Sequence, residues 1–415
     1  MNRNIVLVTV DSLRADHCSF AGYDRETTPA LDQMAAEGFV FANAVAPGPT
    51  TPESMPAILT GKYPADRVTD PSRLTTKQKR IHDHVRARDT LAERLSRMGY
   101  ATGAFTPNPW TSQFFGFEDG FDRFEDFMGS DLSSPIWERI LDCGGSKSLA
   151  AARLVLSWVQ RENVFKPWEA FIDNALDWAA RARSPYFLWV FLLDVHFPYL
   201  PSPTYRTQSR WREYEANLRL YLEDQHMPYP PRVHEQLRTA YDDSIRYTDA
   251  FFSRLRTELA DDDPIVIVHG DHGEAFCEHG TYTHQNVLYE ENVRVPLVVA
   301  GGPSGRVERP VSLRVLPELV TELAATGTVS DAVEPDAYVT ARTPDGRMTA
   351  IQGGRAKYIR SASETELYDL TRGEHAPVTN RELEAVCERL AGQVDTGERE
   401  ERLLAAAAEE VARDR

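Results

Sequence analysis

Three short apolar runs, each followed at once by acidic and histidine side chains, constrain this chain more than any other feature. Asn4–Val10 leads into Asp11, Tyr186–Leu193 into Asp194 and His196, and Pro264–Val268 into His269, Asp271 and His272. Runs of aliphatic, β-branched and aromatic residues without polar alternation read as strands covered on both faces. Arg294–Val299 is a fourth such run. Helical patterns stand between them. Pro29–Glu37 follows Thr-Thr and stops at Gly38, Asp89–Met98 stops at Gly99, and others run near His234–Leu259 and Leu316–Ala325. Strands alternating with helices predict an α/β fold with a largely parallel central sheet. Sites in such sheets form beyond the carboxyl ends of the strands. One Asp or His there is most often structural, but three strands delivering carboxylates and imidazoles to one edge form a metal-site pattern.

The 415 residues suffice for a large domain with an appendage or for two domains. The predicted layout is a catalytic domain over 1–334, a small subdomain over 335–380 and a charged helical tail over 381–415. Within the first, 130–183 is rich in Trp, Leu, Ala and Arg and reads as helical. The polar, aromatic, Pro-rich stretch 200–233 follows His196 and reads as a lid or substrate-facing insertion. Short strand-like pieces at Ala337–Ala341, Met348–Gln352, Lys357–Arg360 and Glu366–Leu370 predict a small antiparallel sheet.

A formal net charge of −17 repels nucleic acid and anionic lipid, so neither is an expected partner. Only six of the 46 basic residues are Lys. That balance suits a salt-rich cytoplasm, an acidic proteome, and equally an arginine-biased genome. No run of about 18 apolar residues is present, and the opening residues read as a strand rather than a signal peptide. The four cysteines, Cys18, Cys143, Cys277 and Cys387, are far apart and form no CxxC pair. The expectation is a cytoplasmic protein with reduced thiols and no membrane span.

Asp271 and His272 are adjacent, and Gly270 and Gly273 beside them permit the irregular turn that brings both to one ion. Carboxylate oxygens with one imidazole suit a divalent Mn, Zn, Mg or Ca, the nitrogen leaning against a pure calcium cage. A second feature is Pro49–Gly61, PTTPESMPAILTG. It reads plainly as a helix start with Thr51 as N-cap and Pro52 first in the helix, although Pro56 costs an intrahelical bond. The same geometry has chemical use. A hydroxyl at a helix N-terminus faces free N–H groups and the positive dipole end, where an anionic ester binds. A divalent ion beside it activates that hydroxyl as a nucleophile.

As an ordered set these segments resemble the sulfatases of the alkaline-phosphatase-like superfamily. The resemblance is carried by VDSLRADHCSFAGYDRETTPALDQMAAEGFVFANAVAP, TPESMPAILTGKYP, DHGEAFCEHG, THQNVLYEENVRVPLVVAGG and ELYDL, across roughly residues 3–380. It implies an alkaline-phosphatase-like α/β sandwich with a small C-terminal α+β subdomain, and a divalent metal beside a nucleophile at a helix N-terminus. On that pattern Asp11, Asp271 and His272 are metal ligands, while His196 and His284 contact substrate or leaving group. Glu274 and His279 are expected near the metal as orienters of its ligands.

The chain departs from that family where the chemistry is most specific. Typical sulfatases carry Cys or Ser, matured to formylglycine, in C/S-x-P-S-R, ten residues before the Gly of LTG. Counting back from Gly61 gives Thr51, but the motif's Pro falls one place early, which keeps Thr50 as a rival. Met55 holds the Arg position, Ser12 the second Asp of the family's Asp pair, and Asn108 stands where Lys or His is usual. Threonine cannot become formylglycine. The chain is therefore similar to the Thr-nucleophile relatives that transfer phosphoethanolamine or phosphoglycerol. The expectation is a metal-dependent hydrolase of sulfate or phosphate esters, acting on a small-molecule or glycan ester. Thr51 would be the nucleophile, His196 the leaving-group acid, and His284 and Asn108 the stabilisers of non-bridging oxygens. Two alternatives stand beside it: a phospho-group transferase to a glycan or lipid acceptor, and a non-catalytic anion-binding descendant.

Overall fold

The computed structural model describes residues 3–64, 74–127, 166–329 and 338–394. In chain order the strands of the main body are β1 (Ile5–Val10), β2 (Phe39–Val45), β3 (Ala101–Phe105), β4 (Arg123–Glu125), β5 (Tyr186–Leu192), β6 (Ile265–Gly270), β7 (Ala275–Phe276), β8 (Tyr282–Thr283), β9 (Arg294–Val295), β10 (Leu297–Ala300) and β11 (Gly305–Ser312). Nine of them make one sheet in the order β11-β2-β10-β6-β1-β5-β3-β4, with β9 also pairing to β2. The pairs β1–β5, β1–β6, β3–β5, β3–β4 and β2–β11 are parallel, and β9 and β10 run against them. This is the largely parallel sheet that the alternation of elements predicts.

The absence of polar alternation in β1 has a direct structural cause. Ile5 and Leu7 pack with Phe187, Trp189, Phe191, Ile265 and Ile267 on one face. Val6, Val8 and Val10 pack with Leu188, Val190, Leu192, Val266 and Val268 on the other. The first face is closed by the helices Leu91–Arg97 and Leu316–Thr326, through Leu91, Leu95, Leu316, Leu319 and Leu323. The second is closed by Pro29–Glu37, Ile172–Arg181 and Pro231–Glu258, through Leu31, Ile172, Tyr241 and Phe251. Each such fully buried side chain contributes roughly 1.5–3 kcal/mol of transfer free energy. The Leu91–Arg97 helix starts with a capping box, Thr90 accepting from Glu93 N while the Glu93 carboxylate accepts from Thr90 N.

Parallel pairing fixes what stands at the sheet's carboxyl edge. Val10 is opposite Leu192 on one side and Gly270 on the other, so the chain leaves β1, β5 and β6 at one level. β3 ends on the same edge, with Phe105 opposite Val190.

The C-terminal strands β12 (Tyr338–Arg342), β13 (Thr349–Gly353), β14 (Ala356–Arg360) and β15 (Thr365–Asp369) form the expected small antiparallel meander. Residues 381–394 are helical, and Cys387 packs on Tyr358 and Leu367 of that sheet. The meander braces the main body: Tyr63 donates to the Thr340 carbonyl at 2.6 Å, and the Arg342 guanidinium lies 3.8 Å from the Tyr63 ring centre. In the 200–233 stretch a helix spans Arg210–Leu222, and Gln225 beyond it accepts from Tyr282 N through its carbonyl and from Gln285 through its side chain. The insertion is thus tied to the loop that carries His284. Most of the 130–183 stretch that the sequence reads as helical, the tail beyond 394 and Cys143 lie outside the described residues. Among the described residues Cys18, Cys277 and Cys387 are free thiols, and no helix is long and apolar enough to cross a membrane.

Candidate active site

Asp11 leaves β1 with its N–H bonded to the Leu192 carbonyl, and Asp271 leaves β6 with its N–H bonded to Val10 O. Sheet pairing therefore continues into the site and fixes both carboxylates. Between Asp11 and the next element, Ser12 takes φ +59°, a left-handed turn that a side chain adopts only when held. Tyr241, from the Pro231–Glu258 helix, holds it by donating to Ser12 O at 2.6 Å and accepting from Arg14 N at 3.0 Å. Ser12 in turn donates Oγ to Asp11 Oδ1 at 2.8 Å and N–H to Asp271 Oδ1 at 3.3 Å.

Asp11, Asp271 and His272 are fully buried, and their ligand atoms lie within 4.8 Å of one another. His272 Nδ1 faces the Gly273 carbonyl at 2.9 Å and donates to it, which makes Nε2 the unprotonated nitrogen. That nitrogen is 3.4 Å from Asp11 Oδ1 and 3.7 Å from Asp271 Oδ2. Asp271 Oδ2 is buried with no hydrogen-bond partner among the described residues. Burial, and then the Asp271 charge, raises the Asp11 carboxyl above its ordinary value; burial raises Asp271 to about 7 and lowers His272 to about 4. An orphaned carboxylate oxygen and an imidazole lone pair turned toward one point are what a divalent cation would satisfy. The residues present fit the metal that the sequence implies.

Gly270 and Gly273 are needed for close approach rather than for a left-handed turn, since neither has positive φ. A Cβ on Gly273 would stand 2.0 Å from the Glu291 carbonyl oxygen, and one on Gly270 2.6 Å from Leu13 O.

The helix Thr51–Thr60 begins one residue earlier than the sequence suggests, with Thr50 in extended N-cap geometry and Thr51 first in the helix. It runs through Pro56 because all ten residues are buried, so packing offsets the lost backbone bond. Thr51 Oγ1 lies 3.4 Å from Asp11 Oδ2 and 3.3 Å from His272 Nε2. Thr50 makes no side-chain cap bond and lines the cleft outside.

The cleft encloses about 220 Å³ over this cluster, bounded by Thr50, Thr51, Pro52, Lys77, Asn108, Pro109, Trp110, Leu193, His196 and His284. His284 Nδ1 bonds Glu274 Oε2 at 2.8 Å, and Tyr199 donates to the other Glu274 oxygen at 2.6 Å. Burial opposes a proton on His284, but Glu274 followed by Asp11 and Asp271 outweighs it and brings the pKa up to about 8. His196 stands 4.9 Å away between ring centres, its Nδ1 2.5 Å from the Phe197 carbonyl, and burial lowers its pKa. Asn108 gives its amide N–H to Asp11 Oδ2 at 2.8 Å while Oδ1 accepts from Trp110 N.

Three residues from the sequence reading stand elsewhere. His269 lies within β6, accepting from the Thr9 hydroxyl at 2.9 Å and facing the Gly270 carbonyl; it is an interstrand tie. Asp194 accepts from Trp168 N at 3.2 Å. His279 bridges Glu291 at 2.8 Å and the Glu374 carbonyl at 2.5 Å, flat against Tyr289, in a separate cluster under the C-terminal meander. Both its nitrogens face acceptors, so the ring is set to carry a proton rather than to orient a metal ligand. Glu274, expected beside the metal, backs His284 instead. Lys77 and Trp110 line the cleft without having been singled out; Lys77 sits on a helix, Leu74–Arg86, whose apolar Leu74, Ile81 and Val85 spacing was the available signal.

Three comparisons bear on this geometry. The family model for sulfatases matches residues 3–328. An arylsulfatase of Clostridium perfringens is 24% identical over 346 residues, covering 72% of this chain and 68% of the relative. A phosphonate monoester hydrolase of Agrobacterium radiobacter superposes with a TM-score of 0.64 at 16% identity, over 95% of each chain. A 2-O GAG sulfatase does so at 0.66 and 14% identity, over 96% of this chain and 93% of the other. The chain spans about half to two thirds of the length of its first sequence relatives.

Proposed function

The chain belongs to the sulfatase family, and from that premise we propose that it is a metal-dependent hydrolase of sulfate or phosphate esters with Thr51 as nucleophile. The observation that carries the reading is the Thr51 hydroxyl at a helix N-terminus, 3.4 Å from Asp11 and 3.3 Å from His272 within the buried ligand cluster.

Asp11, Asp271 and His272 would hold the metal, one divalent Mn, Zn, Mg or Ca. When bound, such an ion lowers the pKa of a neighbouring hydroxyl and offsets charge on anionic oxygens. The Thr51 oxygen, its proton released to solvent, forms a bond to sulfur or phosphorus as the bond to the alcohol oxygen breaks. At the start of the Thr51–Thr60 helix the Thr51 N–H remains for the anion, since Pro52 has none and Glu53 and Ser54 give theirs to Thr50 O. His284, backed by Glu274, gives its proton to the departing alkoxide. The acid role thus passes to His284 from His196, to which the sequence reading gave it. With Nδ1–H given to Phe197 O, His196 is an acceptor at its other nitrogen. That tautomer suits taking a proton from the water that cleaves the Thr51 ester and releases the inorganic anion. Asn108 fixes Asp11 rather than the substrate.

The experiment is a panel of aryl sulfate, aryl phosphate, phosphodiester and phosphonate esters, on metal-stripped protein with Mn, Zn, Mg or Ca restored. Thr51→Ala is run beside the parent. The expected result is metal-dependent turnover that falls about 1,000-fold or more in Thr51→Ala. Full turnover in that variant would exclude Thr51 as nucleophile. Turnover only with an added alcohol acceptor would favour the transferase reading, and metal binding without turnover the anion-binding one.

A further inference from the structure

An ester anion entering the cleft meets two buried carboxylates, and even a divalent ion at Asp11 and Asp271 only balances those. The His284 imidazolium beside them is paired with Glu274, so a further cation would strengthen binding. The Thr51–Thr60 helix brings none, since its one charged residue is Glu53, which is bonded to Arg80 at 2.8 Å. Among the described residues that line the cleft, Lys77 is the one Lys or Arg.

Its setting is unlike that of a solvated surface lysine. The ammonium lies 5.2 Å from the Trp110 ring centre, and no carboxylate pairs with it among the described residues. Glu53, the carboxylate whose charge bears on it, is already engaged with Arg80. Burial lowers the Lys77 pKa, so the side chain is partly stripped of water without a counterion. A desolvated ammonium resting on a π face keeps its N–H donors for a ligand, and an anion there gains a charge-assisted bond. Trp110 is itself tied down at its backbone, whose N–H donates to Asn108 Oδ1 at 2.8 Å while Asn108 holds Asp11. The ring that supports Lys77 and the carboxylate at the floor of the cleft are thus spaced by one side chain.

We propose that Lys77, supported on Trp110, is the anion-binding residue of this cleft and pairs with a non-bridging oxygen of the bound sulfate or phosphate group. This rests on the hydrolase reading for its ligand class, but its test does not require turnover. Inorganic phosphate is titrated calorimetrically into the full manganese-loaded chain, for the parent, Lys77→Met and Lys77→Arg. Lys77→Met is expected to bind phosphate about 10- to 100-fold more weakly, and Lys77→Arg within about threefold of the parent. Manganese affinity and thermal midpoint are expected to stay unchanged in both. With an ester that is turned over, Lys77→Met is expected to raise KM and leave kcat nearly constant.

Equal phosphate affinity in parent and Lys77→Met would overturn the proposal, as would equal loss in the Arg and Met variants, which marks a packing role. Lys77-dependent phosphate binding in a protein that hydrolyses no ester would sustain the proposal and defeat the hydrolase reading. Ester hydrolysis whose KM is indifferent to Lys77→Met would do the reverse.

Discussion

Asn108 donates its side-chain amide to Asp11 Oδ2 at 2.8 Å, joining the loop after β3 to the residue that follows β1. Asp11 Oδ1 is held by Ser12 Oγ, so both oxygens of this carboxylate are oriented by neutral donors. Partners of that kind typically govern metal affinity by 10- to 100-fold.

Asn108→Ala is therefore expected to weaken manganese binding by about that factor. Asn108→Asp, which sets a second carboxylate against Asp11, should be worse. Competition with a fluorescent chelator reads this directly. An unchanged metal affinity with a raised KM would return Asn108 to the substrate-contact role that the sequence suggests.

Stability of the metal-free protein should depend on pH through Asp271. Burial raises its carboxyl from 3.8 to about 7, so the folded state keeps this proton where the unfolded chain has lost it. The associated stabilisation is complete below about pH 4, declines as pH rises, and is gone above about pH 7, amounting to at most roughly 4 kcal/mol. In EDTA, the thermal midpoint is expected to fall between pH 5 and 8 in the parent and to fall less in Asp271→Asn. Added manganese should raise the parent's midpoint more at pH 8 than at pH 5, because the ligand form is the deprotonated one. Parallel midpoint curves for parent and variant in EDTA would refute the assignment.

Glu274→Gln should move the alkaline limb of the kcat/KM profile toward acid by about one pH unit or more. The Glu274 carboxylate leads the groups that bring His284 up to about 8 against the effect of burial, and without it the imidazolium loses its proton at lower pH. Glu274→Asp should recover part of the shift. A limb that stays in place in Glu274→Gln would mean that His284 is not the proton donor.

Gly273→Ala is expected to destabilise the fold by about 1–3 kcal/mol and to weaken metal binding, since its Cβ would stand 2.0 Å from a backbone oxygen that cannot turn away. Gly354→Ala, whose Cβ meets nothing within 4 Å, is the control. Denaturant melts with and without manganese compare the two.

Among the strands of the main sheet, the legible ones were those buried on both faces, because continuous β-branched and aromatic runs such as IVLVTV and YFLWVFL are of strand length. β2, β3 and β11 escaped for opposite reasons. FVFANAV and ATGAF dilute the apolar signal with small and polar residues, and GRVERPVS is an edge strand with half its residues exposed. Strand ends brought Asp11, Asp194, His196, His269, Asp271 and His272 to one edge, and the sulfatase resemblance singled out Asp11, Asp271 and His272 among them. The position of His279 did not follow from either, because seven residues past His272 the chain has already turned under the C-terminal meander. Lys77 was invisible for a further reason: a lysine on an amphipathic helix looks the same whether it faces solvent or a cleft. The one-residue shift at Thr50 and Thr51 reflects N-cap geometry, which composition alone does not resolve.

The register of β1 against β6 has a consequence in time as well as in space. Val10 faces Gly270, so two ligands that are sequence strangers become neighbours only when the first strand of the chain meets one made some 260 residues later. During synthesis the amino-terminal half carries Asp11 and Thr51 but has nothing with which to complete the ion's coordination. On the proposed roles, metal loading would follow closure of the central sheet, and a nascent or truncated chain ending before β6 would carry the Thr51 hydroxyl without the partners that activate it.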